Sequence, residues 1–156
     1  MRPAQITGRT YSRQELDNEK DAIAVLADFK NSKDYTDPTI IGPIIWNLLQ
    51  RQSYNAQTPE KERRFMILME DVCYDFPCKV CRGHCTEYIK NHPMSDYIGS
   101  TTEGKRLGLF IWTWKFHNAV NARLKKPIMS WSTALSLYGE ESKICSAACL
   151  VAEEWA

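Results

Sequence analysis

Two cysteines separated by two residues, in Cys78-Lys79-Val80-Cys81, are the side chains in this sequence best suited to do chemistry. At that spacing a pair can open and close a disulfide with little backbone movement. Phe76-Pro77 ahead of it reads as the entry to a helix, because proline donates no hydrogen bond and a helix start asks for none. A helix start also offers unpaired N–H groups and the positive end of the helix dipole, which favour a thiolate on the first cysteine. The same sulfurs suit two other roles, a zinc site and an inert buried pair. Cys78, Cys81, His84 and Cys85 put four soft ligands within eight residues. That crowding counts against zinc, since one short helix cannot wrap a tetrahedron.

The six cysteines are unevenly spread: four lie between residues 73 and 85, and two at 145 and 149. Clustering of this kind speaks for a site rather than for a disulfide-stapled secreted framework. Cys85, four residues after Cys81, is either a resolving thiol or packed core, and Cys73 is expected to be a buried apolar residue. For Cys145 and Cys149 three roles stay open: a shuttle that feeds electrons to Cys78, separate bridges, or free thiols. Four residues apart on a regular helix, they do not meet disulfide geometry easily.

A second constellation lies at Phe116-His117-Asn118-Ala119-Val120-Asn121-Ala122-Arg123-Leu124-Lys125-Lys126-Pro127. His117 and Asn121 share a helix face, with Asn118 and Arg123 flanking them. An imidazole ring, two amides and several cations near one helix end suit an adenine-plus-diphosphate ligand: the ring stacks, the amides hydrogen-bond and the cations meet phosphate. The alternative is a satisfied histidine beside a basic helix end that complements the helix dipole.

The elements that must position these residues read as helices. Leu16, Ile23, Leu26 and Phe29 predict an amphipathic helix from about 13 to 30. After a polar break at Asp34 to Pro38, Ile41, Ile44, Ile45, Leu48 and Leu49 form an apolar stripe. Thr58-Pro59-Glu60 starts a helix carrying Phe65, Leu68, Met69 and Val72, and the cysteine helix follows from about 78 to 90. Ser100 and Glu103 read as a capping box for the longest helix, from about 101 to 125, with Leu107, Phe110, Ile111, Trp114 and Leu124 on its buried face. Ser130 caps a short helix bearing Trp131, Leu135 and Tyr138, and a last amphipathic segment runs through Ile144, Ala148, Val151 and Trp155.

The expected fold is all-α, a four-helix bundle with a short fifth helix and added N- and C-terminal helical segments. Its divisions are an N-terminal extension at 1–36, a bundle at 37–139 and a tail at 140–156. No strand alternation surrounds the cysteine pair, which removes a thioredoxin-like setting. A net charge of +1, with 25% charged and 44% hydrophobic residues, points to neither nucleic acid nor an anionic membrane. No run approaches the roughly 18 apolar residues of a membrane span, and the polar N-terminus does not read as a secretory signal.

Taken together, a cysteine pair after an aromatic-Pro step and a long helix ending in HNxVNxRLxKP resemble the Erv/ALR family of FAD-linked sulfhydryl oxidases. Gly42-Pro43-Ile44-Ile45-Trp46-Asn47-Leu48-Leu49 looks like that family's segment on the first bundle helix, Asn91-His92-Pro93 recurs after the cysteine helix, and Trp112 and Tyr138 fall at matching places. The resemblance covers roughly residues 40 to 139. It implies FAD held by Gly42, Trp46, Gln50 and Tyr54 from the first helix. His117, Asn118, Val120, Asn121, Leu124 and Lys126 would hold it from the long helix, with Tyr138 closing the site. It further implies a homodimer that oxidises protein thiols through Cys78 and Cys81 and passes electrons to dioxygen, with no metal. Departures are Ile41 for the family's first Trp, Gln50 for its His, and Lys90 and Lys115 near the positions of a structural disulfide. The Lys125-to-Ser132 run looks closer to viral members. The setting implied is host cytoplasm or virion for a viral protein, and the mitochondrial intermembrane space for a cellular one. The competing readings are a zinc-binding module and a helical interaction module without enzymatic activity.

Overall fold

In the computed structural model, residues 10, 12–14 and 36–139 are described. The chain divides into two compact units, Met1–Asp34 and Tyr35–Ala156, and the fold below is that of the second. The helix expected at about 13–30 falls outside the described residues apart from its first two positions, and the tail with Cys145 and Cys149 lies wholly outside them.

Helix α1, Pro38–Tyr54, starts where Asp37 caps it: the carboxylate accepts from Thr39 N at 2.8 Å, and Pro38 occupies the first turn, where its missing N–H costs nothing. Helix α2, Pro59–Asp75, is capped by Thr58, with Glu60 and Glu62 at the positive end of its dipole. Phe65, Met69 and Cys73, each four apart, form its buried stripe. Helix α3, Lys79–Asn91, begins after Cys78, and Pro77 stands one place before the cap. Its far end is hooked to the bundle by Trp112, whose indole N–H donates to the His92 carbonyl at 2.7 Å.

The long helix is shorter than the capping-box reading implies. Residues 101–106 form a small hairpin, β1 Thr101–Thr102 paired antiparallel with β2 Lys105–Arg106. Glu103 and Gly104 turn it at φ 52° and 76°, the left-handed pair that a two-residue hairpin turn requires. Helix α4 therefore spans Gly108–Arg123, and Glu103 is a turn residue, not a cap. The start of α4 is fixed by a close approach: a Cβ on Gly108 would lie 1.7 Å from the Tyr97 carbonyl oxygen. Gln57 bonds both the N–H and the carbonyl of Arg106, while buried Glu62 accepts from Gly99 N and pairs with Arg106 at 3.0 Å.

The buried face of α4 also differs from the expected one. Leu109, Phe110, Trp112, Thr113 and Phe116 are its buried side chains, whereas Leu124 is 52% exposed. This helix is covered on two sides, so no single stripe describes it. One core joins Leu109, Trp112 and Phe116 to Leu49, Phe65, Met69 and Met94. A second joins Leu107 and Phe110 to Ala134, with Trp114 and Trp131 packed against it. Helix α5, Trp131–Gly139, follows Ser130, whose hydroxyl accepts from Thr133 N. Helices α1–α4 with the short α5 form the expected all-α bundle, to which the hairpin is a minor addition.

A disulfide that the sequence did not suggest ties α2 to α3. Cys73, expected as an apolar residue, is indeed buried but is bonded to Cys85, with the two Cα atoms 5.6 Å apart. Cys85 packs in the core, as one of its two expected roles has it, and is at the same time bonded to Cys73.

Candidate active site

Cys78 and Cys81 form a disulfide across the first turn of α3, their Cα atoms 5.2 Å apart. As the cap residue, Cys78 receives the Cys81 backbone N–H on its sulfur at 3.2 Å. That bond and the helix dipole favour negative charge on Cys78 when the pair is reduced. Arg82 donates to the Phe76 carbonyl at 2.7 Å and holds the approach to the pair in place.

Cys81, but not Cys78, lines a cavity of about 590 Å³ at one end of the bundle. Its walls come from every main helix: Gly42 and Trp46 from α1, Met69 and Val72 from α2, Cys81 and Cys85 from α3, and Phe116, His117, Val120 and Asn121 from α4. Leu124, Lys126 and Tyr138 complete it. Its charged lining is Arg123 and Lys126, and no acidic side chain faces it among the described residues. A smaller cavity of about 180 Å³ shares His84, Phe116, Val120 and Arg123 with this one but reaches no cysteine.

His117 is stacked flat on Trp46, ring centroids 4.3 Å apart and planes within 6°. Burial, reinforced by the positive charge of Lys126, lowers its pKa to about 4, so the ring is neutral at ordinary pH. Gln50 lies within 3.4 Å of His117 Nδ1 through its amide nitrogen. With the amide as donor, Nδ1 is the acceptor and the ring proton resides on Nε2. Gln50 is fully buried, and its Oε1 has no hydrogen-bond partner among the described residues.

Of the residues named from the sequence, Gly42, Trp46, His117, Val120, Asn121, Leu124, Lys126 and Tyr138 meet at this cavity with Cys81. Three of the residues expected to hold the cofactor do not line it. Gln50 stands behind His117. Asn118 uses both ends of its amide on the backbone of Met129, each at 2.9 Å, and so pins the turn between α4 and α5. Tyr54 packs on Phe110, and its hydroxyl accepts from Lys105 Nζ at 2.9 Å. Met69, Val72, Phe76 and Val80 were missed as lining residues. Met69 and Val72 sit on a stripe that reads as ordinary core, Phe76 and Val80 read as neighbours of the cysteines, and nothing in their types marks a cavity.

The Erv1/Alr family profile matches residues 44–139, the span that contains both the cysteine pair and the His117 helix. The chain belongs to the Erv1/Alr family. Within it, an FAD-linked sulfhydryl oxidase of African swine fever virus is 37% identical over 100 residues, covering 62% of this chain and 78% of that protein. A second isolate's enzyme is 29% identical over 100 residues with the same coverage. A putative FAD-linked sulfhydryl oxidase of invertebrate iridescent virus 6 is 35% identical over 104 residues, covering 63% of this chain and 91% of that one. The crystal structure of the yeast Erv1 core superposes with a TM-score of 0.55 at 21% identity, over 86% of this chain and 95% of that one, and shares the fold. In this Erv1/Alr chain the cysteine pair and the cavity lining from Ile45 to Tyr138 lie within the matched segment, with Gly42 just ahead of it.

Proposed function

We propose that this chain is an FAD-linked sulfhydryl oxidase whose Cys78–Cys81 disulfide takes electrons from protein thiols. The observation that carries the reading is Cys81 on the wall of the 590 Å³ cavity while its bonded partner lies outside it. The lining suits an aromatic, anionic dinucleotide: Trp46 and His117 present stacked rings, Asn121 an amide, Arg123 and Lys126 positive charge, and Gly42 a bare Cα. The buried, unpartnered Gln50 Oε1 adds an acceptor behind them. In the oxidised state Cys78, Cys81 and Cys85 are all disulfide-bonded and present no thiolate to a metal.

A substrate thiolate attacks Cys78 Sγ, the S–S bond to Cys81 breaks, and Cys81 leaves as a thiolate. The mixed disulfide at Cys78 is resolved when a second substrate thiolate attacks the substrate sulfur. The substrate departs as a disulfide and Cys78 is released, favoured as an anion by the Cys81 N–H and the α3 dipole. The pair has then gained the two electrons that the substrate lost. FAD held among Trp46, His117, Asn121 and Lys126 would supply a two-electron acceptor for the reduced pair and a route onward to dioxygen, reduced to hydrogen peroxide. The bundle's part is to hold Cys81 Sγ at the cavity wall, keep His117 neutral and exclude water from the apolar lining.

Protein thiols are the substrate class this reading implies, with Cys145 and Cys149 as a shuttle to Cys78. Ile44 and Leu48, 60% and 45% exposed on one side of α1, support a homodimer. Viral relatives support a viral source and an intracellular setting. Oxygen uptake with a dithiol tests the reading: purified protein is expected to consume oxygen and Cys81→Ser to stop doing so. Undiminished uptake by that variant would move the active pair elsewhere.

A further inference from the structure

We infer that the Cys73–Cys85 disulfide is a permanent clamp that positions Cys81 and does not take part in the redox cycle. The inference rests on the reading of Cys78–Cys81 as the working pair. Cys73 lies in the last turn of α2 and Cys85 in the second turn of α3, twelve positions apart in sequence, and the bond closes a loop that contains Phe76, Pro77, Cys78 and Cys81. The working disulfide is thus enclosed by a second one at the base of its own loop.

Two properties separate the pairs. Exposure is the first: Cys73 is 3% and Cys85 9% exposed, packed with Leu49, Met69 and Phe116, whereas Cys78 and Cys81 are only partly buried. Exchange needs a thiolate to reach a sulfur, and core packing blocks that approach to Cys73. Cys85 borders the large cavity, the space that the cofactor of the proposed reaction fills.

Connection is the second property. Cys78–Cys81 links residues within one helix start, so opening it releases nothing between helices. Cys73–Cys85 links α2 to α3 one turn beyond Cys81, on the same face of α3. When Cys78–Cys81 opens during turnover, the first turn of α3 is held near the pair by the Arg82 N–H to Cys78 O bond at 3.0 Å, the Cys81 N–H contact on Cys78 Sγ and the Arg82 side-chain bond to Phe76 O, and the first two of these are local to α3 itself. The clamp then prevents α3 from turning on α2, so the freed Cys81 sulfur stays at the cavity wall. Cys73 and Cys85 are positioning residues, not catalytic ones.

Differential alkylation tests the first half. Native protein is reduced with increasing dithiothreitol, quenched with one iodoacetamide isotope, then denatured, fully reduced and labelled with the other. Cys78 and Cys81 are expected to carry the first label and Cys73 and Cys85 the second. Parallel first labelling of all four would overturn the clamp, while failure of Cys78 and Cys81 to label would instead count against the proposed function. The second half is read in C73V/C85V, which keeps an apolar pair without the bond. Opening of Cys78–Cys81 by dithiothreitol is expected at the native rate. Anaerobic flavin bleaching by the same thiol is expected to slow by about tenfold or more, on the way to the roughly hundredfold that a misplacement of about 1 Å can cost. Native rates in both steps would reduce the bond to packing and refute a positioning role.

Discussion

His117 stays neutral because it is stacked on Trp46, buried, and faced by the Lys126 charge. An ordinary imidazole titrates near about 6.5, and this one near about 4. Since the folded value lies below the unfolded one, the unfolded chain binds the extra proton first as pH falls. The stability contributed by this residue is therefore fully present above the ordinary value and declines from there toward the folded one. Melting curves of the cofactor-free protein across that window are expected to show the decline, and His117→Leu to flatten it; an identical pH profile in the variant would remove the argument. Gln50 acts on the same ring. Gln50→Ala removes the amide beside Nδ1 and is expected to weaken FAD binding by about 1–3 kcal/mol, the range for a lost buried hydrogen-bond partner, measured by equilibrium dialysis against free flavin.

At the scale of elements, caps were the features most legible in the sequence. Thr58 with Pro59 and Ser130 mark helix starts by local chemistry, and α2 and α5 begin there, whereas Asp34 to Pro38 reads only as a polar break and turns out to hold the Asp37 cap of α1. The hairpin at 101–106 was not legible, because two-residue strands carry no alternation to read and Ser100 with Glu103 mimics a cap. What decides it is non-local: Gln57 and Glu62 on the α1–α2 side hold Arg106, and Gly108 must pass the Tyr97 carbonyl. Gly108→Ala is accordingly expected to cost about 3 kcal/mol, the upper end of overpacking, because the obstructing atom is backbone. Glu62→Ala should cost about 1–3 kcal/mol by leaving Gly99 N and Arg106 without their carboxylate. Denaturant melts of the two variants, compared with Thr58→Ala at about 1 kcal/mol, rank these contributions.

Across the whole molecule, the helical bundle followed from helical periodicity, and eight of the lining residues followed from the family resemblance, whose motifs lie on separate helices. The stack of Trp46 on His117 brings two of those motifs together, which no spacing within either motif reveals. The Cys73–Cys85 bond was hidden for the same reason: its partners are on different helices, and connectivity follows from packing. Asn118 and Tyr54 show the converse, residues of suggestive type that the fold employs in the α4–α5 turn and beside the hairpin. The tail cysteines make a prediction at this scale: Cys145→Ser/Cys149→Ser should slow oxidation of folded protein thiols more than of dithiothreitol, and equal slowing of both would argue against a shuttle.

The central claim is that Cys81 delivers electrons into the cavity lined by Trp46 and His117. Anaerobic addition of dithiothreitol, followed by visible absorbance, tests it most directly. The purified chain is expected to be yellow and to bleach within turnover time, while Cys81→Ser stays yellow and does not bleach. A colourless wild-type protein, or a Cys81→Ser variant that bleaches at the wild-type rate, would contradict the account.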